Sequence, residues 1–360
     1  MAVTTFDHGG NLFAVARQLG LKPQDLLDFS ASINPLGMPD GMRRAIIDQV
    51  DQLVHYPDAG AQPLKEALAA YHHVAPDQVC PANGSTELIY LLPRLVKGER
   101  ALIIAPAFSE YAHALEAADW QVAYHCLSFS DGFALSLPLL ERRLAEQYDL
   151  LFLCNPGNPT GALCRSADID AVQALCNDFG TMLVLDEAFI DFCGEDGSAT
   201  LSVAGSGNGI VLRSMTKFYA MPGLRLGYAV TDAETCQRLE SVRGPWNVNA
   251  LAQAAGLAAL ADERFRMQSV AYVAEQREAM IRQLTAVTPL TPFPGGANYL
   301  LLRLPAGYSA GELCRKMLGR GLLIRDCSTF AGLDGRFVRV AVRTPDENAR
   351  LIATFAELFC

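Results

Sequence analysis

The sequence predicts an α/β fold, in which a large domain with a mostly parallel central sheet flanked by helices precedes a smaller α+β domain. Three observations support this prediction. Short apolar runs without polar alternation recur through the middle of the chain, as in strands that are buried on both faces of a sheet. Stretches with helical periodicity separate these runs, which indicates parallel strands joined by helices. After about Pro245, a long helical stretch and more widely spaced strands follow.

Five apolar runs in the middle region are predicted to be strands of the large sheet. They are ALIIAP (101–106), DLLFLCN (149–155), TMLVLDE (181–187), GIVLRS (209–214) and LGYAV (226–230). The helical patterns between them cover residues 84–97, 109–118 and 166–179. This alternation predicts a sheet covered by helices on both faces.

The chain is predicted to divide into an N-terminal arm that joins the small domain (1–35), a large domain (36–245) and a small C-terminal domain (246–360). The arm contains HGGN and INPLG, and we expect it to be loop-like and to wrap over the molecule. The small domain is predicted to begin with one helical stretch from Asn249 to about Leu284. Its later elements are a strand in ANYLLLRL, a helix over 309–320, strands in GLLIRD and RFVRVAV, and a helix over 345–358.

Composition and charge exclude several classes of protein. Hydrophobic residues make up 51% of the 360 residues and charged residues 19%, so the chain is globular rather than disordered. The net charge of −10 argues against a nucleic-acid partner or an anionic membrane surface. The N-terminus lacks the pattern of a signal peptide, and no apolar stretch is long enough to cross a bilayer. These observations predict a cytoplasmic protein.

The ten cysteines form no CxxC pair. Several of them, such as Cys154 in LLFLCNP, lie in apolar runs and have the character of small core residues. We therefore expect reduced structural thiols and no metal site.

Polar clusters stand where predicted strands end. CNPGNPTG (154–161), DEAF (186–189) and RSMTK (213–217) each follow or end a strand, and NGSTELIY (83–90) begins a helix. In open α/β sheets, ligands bind at the carboxyl ends of the strands. The N–H groups of a helix that begins with Gly-Ser suit a phosphate.

Lys217 lies among apolar residues in SMTKFYAMPGLRLGY (214–228). A buried ammonium is costly, so such a lysine is exposed, paired or chemically used, and a neutral lysine forms Schiff bases with aldehydes. A strand-end aspartate can hold a protonated ring nitrogen, Ser214 and Arg225 can hold a phosphate, and Phe108 can stack on an aromatic ring. Pyridoxal phosphate combines an aldehyde, a pyridine nitrogen and a phosphate, and is the cofactor that this set predicts.

These motifs resemble those of fold-type I pyridoxal-phosphate enzymes, in the aspartate aminotransferase superfamily. Asn158 in NPGNPTG precedes Asp186 in DEAF by 28 residues, Lys217 follows after 31 more, and Arg225 comes eight later. The resemblance covers nearly the whole chain. It implies the fold of that superfamily and pyridoxal 5'-phosphate as the cofactor.

The resemblance implies roles for the matching positions. Lys217 would hold the cofactor as a Schiff base and move protons, and Asp186 would pair with the ring nitrogen, so both would be catalytic. The remaining cofactor contacts would come from Gly84, Ser85, Ser214 and Arg225 on the phosphate, Phe108 on the ring and Asn158 on the ring hydroxyl. Tyr56, in HYPD, matches a tyrosine that reaches the phosphate of the neighbouring subunit. It therefore implies a homodimer with active sites at the interface.

Phe189 departs from the pattern. Close relatives often have a tyrosine at this position, whose phenol bonds the ring hydroxyl. Phe189 cannot form that bond, so Asn158 would make the contact alone or with help from Tyr219 or a water molecule. The departure bears on the tuning of the cofactor and not on its presence.

The C-terminal region carries more arginines than one carboxylate needs. Arg339 and Arg343 lie in RFVRVAVRT, and their even spacing puts both side chains on the same face of a strand. Arg325 lies in RDCSTF. Arg339 resembles the arginine that binds the substrate carboxylate throughout the superfamily. Arginine suits both carboxylate and phosphate, so the surplus favours a substrate with both groups. Exposed charges that serve solubility are the alternative for Arg325 and Arg343.

Two subfamilies that act on phosphorylated amino acids resemble this chain, namely histidinol-phosphate aminotransferases and threonine-phosphate decarboxylases. The resemblance to the decarboxylases is stronger and lies in HGGN (8–11), DFSASINPLG (28–37), PWNVNALAQAAG (245–256) and RDCSTFAGL (325–333). It implies a substrate site made of His8, Gly9, Asn34, Asn158, Arg325 and Arg339. A flexible terminus for His8 and a plain turn for Asn34 remain the alternatives.

The resemblance implies decarboxylation of O-phospho-L-threonine to (R)-1-aminopropan-2-yl phosphate, which is used to assemble the cobalamin side chain. An aminotransferase of the histidinol-phosphate type is the alternative. A pyridoxal-phosphate sensor is a third hypothesis, but sensors of that kind carry an added DNA-binding domain, for which the chain has no room before residue 36.

Overall fold

The computed structural model of the protein describes residues 9–194 and 197–359. His8 therefore lies outside the described residues. The strands, numbered in chain order, are β1 (Leu27–Asp28), β2 (Val79–Ala82), β3 (Arg100–Ala105), β4 (Gln121–Cys126), β5 (Leu150–Cys154), β6 (Met182–Asp186), β7 (Gly209–Ser214), β8 (Gly227–Thr231), β9 (Thr291–Phe293), β10 (Tyr299–Arg303), β11 (Leu322–Leu323), β12 (Arg325–Asp326) and β13 (Phe337–Ala341).

The α-helices surround these strands. In chain order they are α1 (Leu12–Leu19), α2 (Asp40–Gln49), α3 (Gln62–His72), α4 (Ser85–Leu95), α5 (Glu110–Glu116), α6 (Leu137–Leu144), α7 (Ser166–Phe179), α8 (Thr200–Ala204), α9 (Met215–Phe218), α10 (Ala233–Val242), α11 (Ala250–Leu260), α12 (Glu263–Val287), α13 (Ala310–Leu318) and α14 (Pro345–Phe359). Short 3-10 helices cover Pro23–Asp25, Val50–Val54, Pro76–Gln78, Phe129–Asp131 and Ile190–Cys193. Within the described ranges, no helix is both long and apolar enough to cross a membrane.

The largest sheet has seven strands in the order β2-β8-β7-β6-β5-β3-β4. The strands from β7 to β4 run parallel to one another, whereas β8 is antiparallel to both β7 and β2. Apolar side chains are buried on both faces, with Ile103 and Val184 in one core cluster and Leu102 and Leu183 in another. The predicted α/β fold with a mostly parallel central sheet flanked by helices is confirmed.

A second, antiparallel sheet has four strands in the order β12-β13-β10-β9. Its register places Arg325 of β12 directly opposite Arg339 of β13. Residues that face each other across an antiparallel pair have their side chains on the same face of the sheet. The two arginines are therefore neighbours.

The expectation that the first 35 residues are loop-like is wrong in part. Residues 12–19 form α1, and β1 pairs in parallel with β11, with Leu27 opposite Leu322 and Asp28 opposite Leu323. A two-residue strand is too short to show alternation in a sequence. The strand forms because it pairs with β11, which lies almost 300 residues away in the chain and so cannot be inferred from local pattern.

Two further predictions on the C-terminal region need correction. The single helix expected from Asn249 to Leu284 is two helices, because Asp262 accepts a hydrogen bond from the Phe265 N–H at 2.9 Å and so begins α12 anew. The strand expected in GLLIRD is two short strands in different sheets, since β11 pairs with β1 and β12 with β13. The domain boundaries at residues 35 and 245 stay predictions.

Helix α11 packs through a glycine against α3 and against the residue that precedes β8. A Cβ atom at Gly256 would lie 2.7 Å from Leu226 Cδ2 and 2.9 Å from Leu64 Cδ1, both in a fully buried cluster. Leu226 directly follows Arg225. This close contact therefore fixes the backbone that leads into β8 and into the candidate site.

We predict that Gly256→Ala lowers the free energy of unfolding by about 1–3 kcal/mol, because the added methyl group overpacks the Leu64–Leu226 contact. Gly41→Ala is the matched control, since it is also helical and its Cβ would meet no atom within 4 Å. It should be neutral or slightly stabilising. Urea unfolding of both variants measures the difference, and equal midpoints would contradict the prediction.

Candidate active site

Three neighbouring strands of the large sheet bring the predicted residues to one edge. Asp186 is the last residue of β6 and Ser214 the last of β7, and both are buried. Asn158 follows β5, where the Asn155 N–H donates to the carbonyl oxygen of Asp186 at 2.8 Å. Because β5, β6 and β7 are parallel, their carboxyl ends meet here, as expected for a ligand site.

Lys217 lies on α9, a single helical turn directly after β7. Its Nζ donates to Ser214 Oγ at 3.3 Å and lies 5.7 Å from the centre of the Phe189 ring. Burial lowers the pKa of Lys217 from 10.5 to about 8. The charge of Asp186 opposes this shift and that of Arg225 adds to it. A substantial fraction of this amine is thus neutral near pH 8, which is the form that reacts as a nucleophile.

Asp186 is held by two donors. Tyr111 Oη donates to Asp186 Oδ2 at 2.5 Å, and the Ala188 N–H donates to Oδ1 at 2.9 Å. Burial raises the pKa of this carboxyl, while the two hydrogen bonds and the nearby Lys217 favour its charged form. Sequence analysis missed Tyr111. Its signal was its position three residues after Phe108, in the first turn of α5.

A cradle lies between α4 and the loop before β8. Gly84 has φ +76°, and a Cβ there would lie 2.4 Å from Arg225 Nη2. A Cβ at Gly227 would lie 2.3 Å from the Ser85 nitrogen. The first N–H groups of α4 have no acceptor within the helix. Because positions 84 and 227 are glycines, the Arg225 guanidinium and the N-terminus of α4 can approach each other closely. Both groups can bind an anion there.

Arg339 is buried beside Asn158. Its Nη1 donates to Asn158 Oδ1 and its Nη2 to the carbonyl oxygen of Ser30 at 2.9 Å. Its Nε is buried and has no partner among the described residues. The guanidinium lies 5.0 Å from the ring of Tyr299, whose Oη donates to the Gly157 carbonyl at 2.7 Å. Sequence analysis did not single out Tyr299, because a tyrosine inside a buried strand has the pattern of a core residue.

Arg325 and Arg343 have different surroundings. Arg325 is 6% exposed, lies 5.3 Å from the Phe330 ring, and lines a cavity of about 170 Å³ together with Phe108. Arg343 instead makes a two-point contact with Glu347, at 3.1 and 2.7 Å. It also donates to the Asp28 carbonyl at 3.0 Å. The structure thus gives Arg343 a structural ion pair and places Arg325 at the cavity.

The arm reaches the site through Ser30. Gly9 packs closely on Ser30, since a Cβ at position 9 would lie 2.1 Å from the Ser30 carbonyl oxygen. The Gly10 N–H donates to Ser30 Oγ at 2.9 Å. Asn34 is buried, and its side-chain amide donates to the Phe218 carbonyl and to Ser269. The geometry brings Gly9 to the arginine end of the site and gives Asn34 protein partners in place of the expected substrate phosphate.

The remaining predicted residues lie at the rim or outside this group. Phe108 is partly buried and meets Tyr111 edge-on at 5.9 Å. Tyr56 is 79% exposed and stacks on Trp246 at 4.6 Å. Tyr219 stacks on Phe265 in the apolar core, so the structure offers no support for its helping Asn158.

A larger cavity of about 870 Å³ touches α9 only through Phe218. Tyr71, Arg213 and Arg266 are among the described residues that line it, and none of the predicted site residues does. Although this cavity is larger, it is not the candidate active site, because Asp186, Ser214 and Lys217 do not line it.

Comparisons with known proteins agree with this geometry. The profile of the family described as "Aminotransferase class I and II" matches residues 24–355. The threonine-phosphate decarboxylase of Salmonella typhimurium is 41% identical over 354 residues, which cover 98% of this chain and 96% of that protein.

Two solved structures are also similar. The histidinol-phosphate aminotransferase of Clostridium acetobutylicum has a TM-score of 0.87 at 29% identity, over 92% of this chain and 99% of that one. The L-threonine-O-3-phosphate decarboxylase of Porphyromonas gingivalis has a TM-score of 0.80 at 29% identity, over 92% and 98%.

We predict that Lys217 in the full chain without cofactor titrates near pH 8, because burial lowers its pKa to about 8. The rate of its acylation, followed by mass spectrometry of the Lys217 peptide, should rise with a midpoint there. Asp186→Asn should lower the midpoint, since it removes a stabilising negative charge, and Arg225→Gln should raise it. A midpoint near 10.5, the ordinary value for lysine, would contradict the assignment.

Proposed function

Because the chain belongs to the aminotransferase class I and II family, we propose that it decarboxylates O-phospho-L-threonine with pyridoxal phosphate as its cofactor, releasing CO2 and (R)-1-aminopropan-2-yl phosphate. The observation that carries the proposal is the pair of buried arginines, Arg325 and Arg339, opposite each other in the register of β12 and β13. The 41% identical decarboxylase of Salmonella typhimurium supports the same substrate.

The residues present fit pyridoxal phosphate. Gly84, Ser85, Ser214 and Arg225 would hold the phosphate in the cradle at the N-terminus of α4. Asp186, fixed by Tyr111 and Ala188, would accept the ring N–H. Lys217 would bind the aldehyde carbon and Asn158 the ring hydroxyl, with Phe108 on the ring face. When bound, the group supplies an electron sink for the pair that is left when CO2 departs.

Two anionic ends of a substrate match the arginine pair. Arg339 has an unpartnered buried Nε and a fixed plane, because its Nη atoms are held by Asn158 and Ser30. A carboxylate at this guanidinium would lie beside Lys217. A phosphate would then lie toward Arg325 and the 170 Å³ cavity. Gly9 packs on Ser30 beside Arg339, and His8, outside the described residues, stays a predicted substrate residue. Guanidinium groups bind both anions with paired hydrogen bonds.

Lys217 is suited to replace the departing carboxylate with a proton. Its amine is close enough to Asp186 to feel the charge of that carboxylate, and a pKa of about 8 lets it both hold and release a proton near neutral pH. The apolar ring of Phe189 next to Nζ limits access of water to this proton. Once the substrate amine has replaced it at the aldehyde carbon, Lys217 Nζ would be free to deliver the proton to the substrate Cα, which takes the place of the departing CO2.

A homodimer is part of the proposal. Val54 and Tyr56 are 82% and 79% exposed, and Tyr56 stacks on the half-exposed Trp246. Exposed apolar groups that lie together are typical of protein interfaces. In a dimer, Tyr56 would reach the cofactor phosphate of the partner. A cytoplasmic location is also proposed, in keeping with the free thiols of the nine described cysteines.

We predict that the purified protein converts O-phospho-L-threonine to CO2 and the phosphorylated amine in equal amounts, over many turnovers, without any 2-oxo acid. Product analysis by mass spectrometry and CO2 release tests this. Lys217→Ala, which lacks the amine, is the inactive control. Activity that requires 2-oxoglutarate, or that prefers histidinol phosphate, would assign the protein to the aminotransferases instead.

The arginine pair gives a sharper test. Arg325→Lys should lower kcat/KM about 100-fold, on the scale of a charge-assisted contact to a buried anion, because lysine cannot make the two-point contact. Arg343→Lys is the matched control on the same domain and should stay within about threefold, since Arg343 pairs with Glu347. Equal losses in the two variants would contradict the proposed phosphate site.

The shared site predicts complementation between two defective chains. Mixed Tyr56→Phe and Lys217→Ala chains should form heterodimers with one native site and regain activity that neither parent has alone. Dimers of each parent, mixed without exchange of subunits, provide the control. A protein that sediments strictly as a monomer would contradict the shared site.

A further inference from the structure

Residues 30–34 connect the two ends of the candidate site. At one end, the Ser30 carbonyl accepts from Arg339 Nη2 at 2.9 Å. Four residues later, the Asn34 N–H donates to the carbonyl oxygen of Lys217 at 3.0 Å. This short segment of the arm therefore holds both the proposed carboxylate-binding arginine and the turn that carries the lysine.

The side chain of Asn34 is fully engaged with protein groups. Its Nδ2 donates to the Phe218 carbonyl at 2.7 Å and to Ser269 Oγ at 2.8 Å, while its Oδ1 accepts from the Leu36 N–H at 3.1 Å. Asn34 is 3% exposed and Ser269 is fully buried. An asparagine amide has two donor hydrogens, so both are used within the chain.

Helix α9 needs such donors. It has four residues, Met215–Phe218, and a helix of one turn has little stability of its own. The carbonyl groups at its C-terminal end lack partners within the helix, and that of Lys217 accepts a long hydrogen bond, 3.4 Å, from the Ala220 N–H that follows it. Asn34 supplies a backbone donor to the carbonyl of Lys217 and a side-chain donor to that of Phe218, and thereby caps the turn from outside.

We propose that Asn34 is a positioning residue for Lys217, which ties the lysine turn to the N-terminal arm and, through Ser269, to helix α12. Movement of the arm or of α12 would shift the end of α9 and with it the lysine amine. The position of the amine is thereby linked to that of Arg339 through residues 30–34. This inference rests on the proposed function only in taking Lys217 as the reactive amine.

The test uses Asn34→Ala in the full chain. Without cofactor, amide hydrogen exchange of residues 215–221 should become faster, because the turn loses its external cap. Capture of pyridoxal phosphate by Lys217, followed by absorbance, should slow about 10- to 100-fold, on the scale of a misplaced reactive group. With O-phospho-L-threonine, kcat should fall by a similar factor while KM changes less than about threefold.

Asn208→Ala is the matched control. Asn208 Nδ2 also donates to a backbone carbonyl at 2.8 Å, that of Thr181, but at the opposite end of strands β6 and β7. Its loss should lower stability by a comparable amount. Exchange in residues 215–221, cofactor capture and kcat should remain unchanged.

The outcomes separate the possibilities. Faster exchange in Asn34→Ala with unchanged capture and kcat would show that Asn34 only supports the fold, and would overturn the proposal. If Asn34→Ala does not fold, Ser269→Ala decides, since it removes the link to α12 and keeps the Phe218 contact. It should slow capture in the same direction by a smaller factor, and no change would overturn the proposal. If the unmodified protein does not decarboxylate O-phospho-L-threonine but Asn34→Ala still captures pyridoxal phosphate more slowly than it does, the positioning role is supported and only the proposed function is refuted.

Discussion

The structure around the site depends on the burial of cationic side chains at the carboxyl edge of a parallel sheet. Lys217 and Arg339 lie there together with the partly buried Arg225. Removing a charge from water is costly unless an opposite charge or hydrogen bonds replace the water. Asp186 is the carboxylate beside Lys217, and its oxygens are already held by Tyr111 and Ala188. A ligand with several negative groups therefore compensates charges that the fold has already buried.

This constraint explains the lowered pKa of Lys217 and the lack of a carboxylate partner for Arg339 among the described residues. Both are properties of cationic groups whose main anionic partner is a ligand and not the protein. The Arg213 guanidinium shows the contrast, because it is just as buried but makes ion pairs with Glu187 and Asp191. A buried arginine that is paired with carboxylates of the protein is structural, whereas Arg339, which has no ion pair among the described residues, keeps its charge available for a ligand.

The sequence predicted the large sheet well because its strands are continuous apolar runs, such as GIVLRS, whose bounds match β7. It also predicted that Asp186 and Lys217 lie at neighbouring strand ends, which the structure shows, and their catalytic roles stay predictions. The pairing of Leu27 with Leu322 could not be predicted, because a two-residue strand has no periodicity. The contact of Tyr111 with Asp186 and the contacts of Asn34 with Phe218 and Ser269 were not predicted, for another reason. Their roles depend on which atom they reach across the fold, and local pattern carries no information about that.

The parallel pairing of β1 with β11 has a consequence for how the protein is made. The partner of Leu27, Leu322, emerges from the ribosome almost 300 residues later. The strands of the large sheet lie between residues 79 and 231 and can associate while synthesis continues. The segment with Leu27 must wait until Leu322 has been made, and closing so long a loop slows this step of folding. The arginine end of the site is thus completed after the sheet edge that carries Lys217, so a nascent chain acquires its reactive lysine before it can hold a substrate.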